Sequence, residues 1–173
     1  SEKPYKQLIV WDPDSQEILG GYRYILCSEA PRDKDGNIIL ATSKLFHFSE
    51  RFNTEYFPYT IELGRSFVQP AYQSSKAGAK ALFALDNLWD GLGALTVDHP
   101  EIKYFFGKVT MYSHFHSEAR NLIQYFMRKY FADKEKLVYP KDPVIFDIDE
   151  SAMAQLFTGD NTAKIFPRCL MHI

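Results

Sequence analysis

Residues 60–82 read "TIELGRSFVQPAYQSSKAGAKAL", and how they fold decides the rest of the chain. Thr60 to Val68 is rich in β-branched and apolar residues, so it reads as a strand. Gln69-Pro70 ends it, because proline brings no N–H to a sheet ladder. From residue 74 to 95 apolar residues recur at Ala77, Ala81, Leu82, Leu85, Leu88, Trp89 and Leu92. That is helical spacing, with Ser74 or Ser75 placed to cap its start. A strand running through a short polar turn into a helix leaves backbone N–H groups free at the positive end of the helix dipole. The turn is therefore an anion site suited to a pyrophosphate. Gly78 lets the backbone come close and Lys76 adds charge. A strand with no chemical duty has little need of Glu62 and Arg65.

The neighbours extend the pattern in both directions. "KQLIVWD", residues 6–12, and "ILGGYRYILC", residues 18–27, are strands joined by the turn "PDSQE", so they form an antiparallel hairpin. Gly20 and Gly21 inside the second strand predict a bulge or a close backbone neighbour. Residues 38–58 are ambiguous: "TSKLFHFSERF" reads as a short helix and "FPYT" as extended. After the helix come a strand at 103–112 and an amphipathic helix at 117–131, capped by Ser117, with Arg128 and Lys129 suiting the negative end of its dipole. A strand within "PKDPVIF" and a short helix in "DESAMAQLF" follow. The β-α-β unit around residues 60–112 makes its strand pair parallel. The expected fold class is α/β (α+β), a mixed and mostly antiparallel sheet flanked by helices, in a single domain over residues 1–173.

The totals narrow the function. The chain has 173 residues, 46 % of them apolar and 16 % aromatic, enough for a sizeable core. A formal net charge of -2 gives no field to draw nucleic acid. Cys27 and Cys169 are far apart without metal spacing, and read as reduced thiols of a cytoplasmic protein. No apolar run approaches the roughly 18 residues of a membrane span. His114 and His116 would share one face of a strand, but no third ligand follows at useful spacing, so no metal is expected; hydrogen bonding or general-base work is the other reading. Asp147 and Asp149 suit a solvated face or a helix cap, with acid/base work as the alternative.

Three motifs carry a family resemblance. "VQPAYQSSKAG" resembles the acyl-carrier loop of the GNAT acyltransferase superfamily, V-x-P-x-[YF]-[RQ]-x-x-G-x-[GA]: Val68, Pro70, Tyr72, Gln73 and Gly78 match, and Lys76 stands where the first glycine is usual. "ELGRSFV" is similar to the E-L-G-R-S-x-V segment of the ornithine-lipid and glycine-lipid N-acyltransferases, a group often labelled hemolysins; the related acyl-homoserine-lactone synthases carry E-x-x-R there. Asp12, Gly20 and Arg23 fit the same group's hairpin pattern. Tyr104, Phe106, Gly107, Val109, Met111, Phe115, Ala119, Arg120 and Leu122 fit its later segment, with His116 in place of a serine and Ser117 one residue on. The superfamily has a strand and two helices before this hairpin and two strands at its end, so the resemblance implies incomplete ends.

The resemblance implies transfer of an acyl group, fatty in this group, from a thioester donor to the amine of an amino-acid-like acceptor, as in ornithine-lipid and glycine-lipid synthesis. The co-substrate would be acyl-CoA or acyl-acyl carrier protein, with no permanently bound cofactor. Glu62 and Arg65 would be catalytic, Glu62 taking the amine's proton. Phe67, Val68, Gln73, Ser74, Ser75, Lys76 and Gly78 would bind the donor. Arg23, His114 and His116 would bind the acceptor. Acyl carrier protein would be a partner, nucleic acid would not, and the location would be cytoplasmic with peripheral contact at the inner membrane. Two alternatives stay open: a noncatalytic GNAT-like binding domain, and Glu62 and Arg65 as structural ion-pair partners, Arg23 being one candidate.

Overall fold

The computed structural model describes residues 4–73, 79–112, 114, 116–144 and 148–157. Two compact units divide the chain, Ser1–Lys108 and Val109–Ile173.

The first unit is built on a four-stranded sheet. Strand β1 (Lys6–Asp12) and β2 (Glu17–Leu26) form the hairpin, β3 (Phe46–Phe48) is a short outlying strand, and β4 (Thr60–Val68) pairs antiparallel with β2. Helix α1 (Ala79–Asp98) crosses to β5 (Tyr104–Gly107), which lies parallel to β4, giving the order β1-β2-β4-β5. The expected mixed, mostly antiparallel sheet is thus present, and the β-α-β crossover gives its one parallel pair.

One face of this sheet carries α1. Tyr22, Leu26, Ile61, Leu95 and Ile102 form the buried cluster there, with Leu8, Leu63, Leu88 and Leu92 packed around it. Leu88, Leu92 and Leu95 sit at helical spacing, and burying each such side chain is worth about 1.5–3 kcal/mol. Trp89, expected on that stripe, is instead 72 % exposed: it follows Leu88 by about 100° around the helix, which turns it away from the sheet. Gly91 lets α1 come down onto the hairpin, since a Cβ there would lie 2.8 Å from Leu8 Cδ2 and 2.9 Å from the Tyr22 hydroxyl. Ser74 and Ser75, expected to cap α1, lie outside the described residues.

Two bulges break the sheet's alternation. Between Val10 and Trp11 of β1, strand β2 inserts Leu19, which turns inward against Val10 and Ala84. This is the irregularity that Gly20 and Gly21 predicted. Both also have close backbone neighbours: a Cβ on Gly20 would lie 2.7 Å from the Phe67 carbonyl oxygen, and one on Gly21 2.7 Å from that of Leu8. The second bulge is in β4. Arg23 faces Gly64 and Gly21 faces Phe67, so two steps on β2 meet three on β4, and Arg65 takes a left-handed backbone (φ 51°).

Three expected elements differ. "FHF" within "TSKLFHFSERF" is the strand β3, not helix, and its Phe46 and Phe48 rings meet Phe106 edge-on at 6.2 and 5.7 Å. Phe52–Tyr56 is a π-helical turn and Phe57–Tyr59 a 3₁₀ turn, so "FPYT" is not extended until Thr60; Pro58 suits the start of such a turn. The strand expected over 103–112 closes at Gly107, beyond which Val109 is 93 % exposed and outside any ladder.

The second unit holds α2 (Ser117–Tyr130), the short strand β6 (Val138–Pro140) and α3 (Glu150–Leu156). Leu122, Phe126, Met153 and Phe157 form its buried cluster. Lys129 donates to the Phe157 carbonyl at 2.6 Å. His116, not Ser117, is the residue at the helix start, and its side chain makes no capping bond. Asp149 caps α3, accepting from the Ser151 and Ala152 N–H groups at 3.0 Å each, while Asp147 lies outside the described residues. Among the described residues no helix is long and apolar enough to cross a membrane.

Candidate functional site

The face of the sheet opposite α1 carries Glu62, Arg23 and Arg65. Glu62 pairs with Ile25 across β4 and β2, on the side away from Ile61 and Leu63. Its side chain is only 2 % exposed. Both carboxylate oxygens accept hydrogen bonds: the Tyr5 hydroxyl donates to Oε2, and the Thr42 N–H and Thr42 hydroxyl donate to Oε1 at 3.1 and 2.6 Å. A buried carboxylate is tolerable only when its lone pairs are met in this way. These three donors are all neutral groups.

Tyr5 joins this knot to the sheet's cations. Its hydroxyl also accepts the Ala41 N–H at 2.8 Å, and its ring lies 4.3 Å beneath the Arg23 guanidinium carbon. Burial, and next the bond to Glu62, raise its phenol well above the ordinary tyrosine value, so it stays protonated and remains a donor to the carboxylate.

The bulge in β4 determines where Arg65 goes. In a regular strand, residues three apart point to opposite faces. The extra residue brings Arg65 round to the Arg23 side. A depression of about 250 Å³ is lined there by Gln7, Leu8, Ile9, Tyr22, Arg23, Arg65 and Phe67. Ile9 and Phe67 are about half exposed on its rim. The arrangement therefore combines two cationic side chains with an apolar border, a setting for a carboxylate attached to something greasy or small.

The pairing of β4 with β5 runs from Thr60 and Tyr104 to Leu63 and Gly107. Strand β5 ends there, so the amides of Gly64 to Val68 that point away from β2 find no partner on it. The turn after β4 is tied back to the hairpin. Gln69 N–H donates to the Leu19 carbonyl at 2.8 Å, the Tyr72 hydroxyl to Glu17 Oε2 at 2.6 Å, and Gln73 Nε2 to the Val68 carbonyl. Of the expected donor-binding residues, Phe67, Val68 and Gln73 are seen, whereas Ser74, Ser75, Lys76 and Gly78 lie outside the described residues. His114 and His116 belong to the second unit, where both are exposed and the His114 ring stacks on Tyr112 at 5.4 Å. Among the described residues no group of three His, Cys, Asp or Glu side chains is gathered for a metal ion.

Cys27 is buried at the end of β2 and is no candidate nucleophile. Burial first, then the nearby Glu62 charge, push its thiol from 9.0 up to about 12. A group whose folded pKa is raised adds stability that is complete below the unfolded value and disappears as pH rises through the folded one. Folding stability is therefore expected to fall between pH 9.0 and about 12, and Cys27→Ala should make that fall shallower in a urea-denaturation series, leaving the share of Tyr22, whose phenol is raised by burial from 10.0 to about 12. A wild-type curve already flat there would place the thiol in contact with water.

Sequence reasoning singled out Glu62, Arg65 and Arg23, which the structure places on one face, and did not single out Tyr5 and Thr42, which bond to Glu62. The apolar-polar alternation gave no hint of either, because each acts across a long stretch of chain.

Residues 2–82 match the family model of the acetyltransferase (GNAT) domain. The chain is 56 % identical over 160 residues to a glycine N(alpha)-acyltransferase of Phocaeicola vulgatus, covering 92 % of this chain and 49 % of that protein. It is 58 % identical over 159 residues to a glycine N(alpha)-acyltransferase of Bacteroides thetaiotaomicron, covering 92 % and 47 %. The chain thus spans about half the length of the curated relatives it matches. No solved structure matches it significantly. The hairpin and the bulged β4 lie within the matched residues, and the chain is a GNAT-fold relative of the glycine N(alpha)-acyltransferases.

Proposed function

We propose that this chain is the catalytic part of an N-acyltransferase that moves a fatty acyl group from a thioester donor to the amine of glycine or a similar amino acid, in the synthesis of an acylated amino-acid lipid. The observation that carries this reading is the β4 bulge, which puts Arg65 beside Arg23 in one depression on the face that bears Glu62. In this reading the two arginines hold the acceptor's carboxylate, a pairing that guanidinium geometry suits well. The donor is acyl-CoA or acyl-acyl carrier protein, its phosphate held by backbone N–H groups of residues 73–78. The enzyme works in the cytoplasm, with peripheral contact at the inner membrane where its product is used.

The chemistry is a single displacement. The neutral amine nitrogen attacks the thioester carbonyl carbon, the N–C bond forms, and the C–S bond breaks. Backbone N–H groups around Phe67 and Val68, past the end of β5, polarise the carbonyl oxygen. The amine's proton passes to the Tyr5 oxygen as the Tyr5 proton moves to Glu62, and the thiolate leaves and is protonated from solvent. The products are an amide and a free thiol.

Mixing the intact protein with palmitoyl-CoA or palmitoyl-acyl carrier protein and glycine should release free thiol in step with N-acylglycine. Binding of either donor without any thiol release, across a panel of amino acids, would instead support a noncatalytic binding domain.

A further inference from the structure

We infer that Tyr5 is a positioning residue for the acceptor site: its ring holds the Arg23 guanidinium at the depression, and Glu62 fixes the ring. The inference rests on the reading above, in which Arg23 holds the acceptor's carboxylate.

Three contacts fix Tyr5. Its hydroxyl donates to Glu62 Oε2 and accepts from the Ala41 N–H at 2.8 Å, and its ring face lies 4.3 Å from Arg23 Cζ. A tyrosine has two rotatable side-chain bonds, and anchoring the far end of the ring removes both freedoms. Arginine has a long flexible stem. Against a fixed aromatic face its head is held by the ring's quadrupole. Tyr5 lies just before β1 and is only half-buried, whereas the described core clusters are made of other residues. Gln7, two residues on, lines the same depression as Arg23 and Arg65, so the platform stands at the edge of the site it serves. The line of action runs from the buried Glu62 through Tyr5 to Arg23, and it gives the carboxylate a second duty beside proton transfer.

The test separates the ring from the hydroxyl. KM for glycine and KM for palmitoyl-CoA are measured on the intact protein in Tyr5→Phe, Tyr5→Leu, Arg23→Ala and the double variant Tyr5→Leu/Arg23→Ala. Tyr5→Leu should raise the glycine KM about tenfold, Tyr5→Phe by less than about threefold, with the donor KM unchanged in both. Loss of the hydroxyl is read separately, since it acts on kcat in both Tyr5 variants. In the Arg23→Ala background Tyr5→Leu should add nothing to the glycine KM. The inference is overturned if Tyr5→Phe raises the glycine KM as much as Tyr5→Leu, or if Tyr5→Leu keeps its full effect without Arg23. It fails alone if Arg23→Ala raises the glycine KM and Tyr5→Leu does not. If Arg23→Ala itself leaves the glycine KM unchanged, the carboxylate reading fails and takes the inference with it. Tyr5→Met, which fills the ring's space without a π face, replaces Tyr5→Leu should that variant not fold.

Discussion

Glu62→Ala is expected to lower the unfolding free energy by about 4 kcal/mol. It strands the Tyr5 hydroxyl, the Thr42 N–H and the Thr42 hydroxyl without their acceptor and opens a cavity beside them. Glu62→Gln should cost about 1.5 kcal/mol, because its carbonyl oxygen still serves both Thr42 donors while its amide meets the Tyr5 hydroxyl. Urea denaturation of the two variants checks this order. A loss below about 1 kcal/mol for Glu62→Ala would mean that water replaces the carboxylate freely, and so that the site is open. The glutamine variant also tests the chemistry. Turnover per folded molecule should drop sharply, since an amide takes no proton, and unchanged turnover would leave Glu62 with a structural duty alone.

Arg23→Ala combined with Arg65→Ala is expected to lower kcat/KM for glycine about a thousandfold. Two charge-assisted carboxylate contacts together amount to about 4 kcal/mol, which is three decades in affinity. The donor KM should stay within about threefold, because the loss is confined to the acceptor's carboxylate. Replacing both arginines by lysine should restore only part, since a point charge lacks the paired donors of a guanidinium. Steady-state kinetics with glycine and with ethanolamine, which has no carboxylate, makes the comparison. An equal loss toward ethanolamine would show that the arginines do not act on the carboxylate.

Much of this frame was legible in the residues. The hairpin strands, β4 and α2 each have an unbroken apolar pattern with clear stop signals, Pro70 being the plainest, and their observed limits fall within a residue or two of those expected. Residues 38–58 were not legible, because their shape is set by distant partners. Phe46, Phe48 and Phe52 all gather on Phe106, more than fifty residues along the chain, and that contact overrides the local helical spacing. The bulge in β4 left no signal in the residues, since a single left-handed arginine leaves no mark on composition. Tyr5 was invisible as a site residue for a related reason. Its partner Glu62 is 57 positions away, and nothing in "SEKPYKQ" distinguishes a tyrosine that stacks on arginine from one that merely lines a strand.

The left-handed turn at Arg65 sets two demands against each other at one position. Glycine would relax there, and any other residue bears a penalty of about 1 kcal/mol for the same backbone. An arginine so placed is a poor choice for folding and a useful one for holding an anion. Selection for robustness alone would drift toward glycine at residue 65, whereas selection for the reaction keeps the arginine in place, so the identity of this residue in any descendant of the chain reports which pressure prevailed.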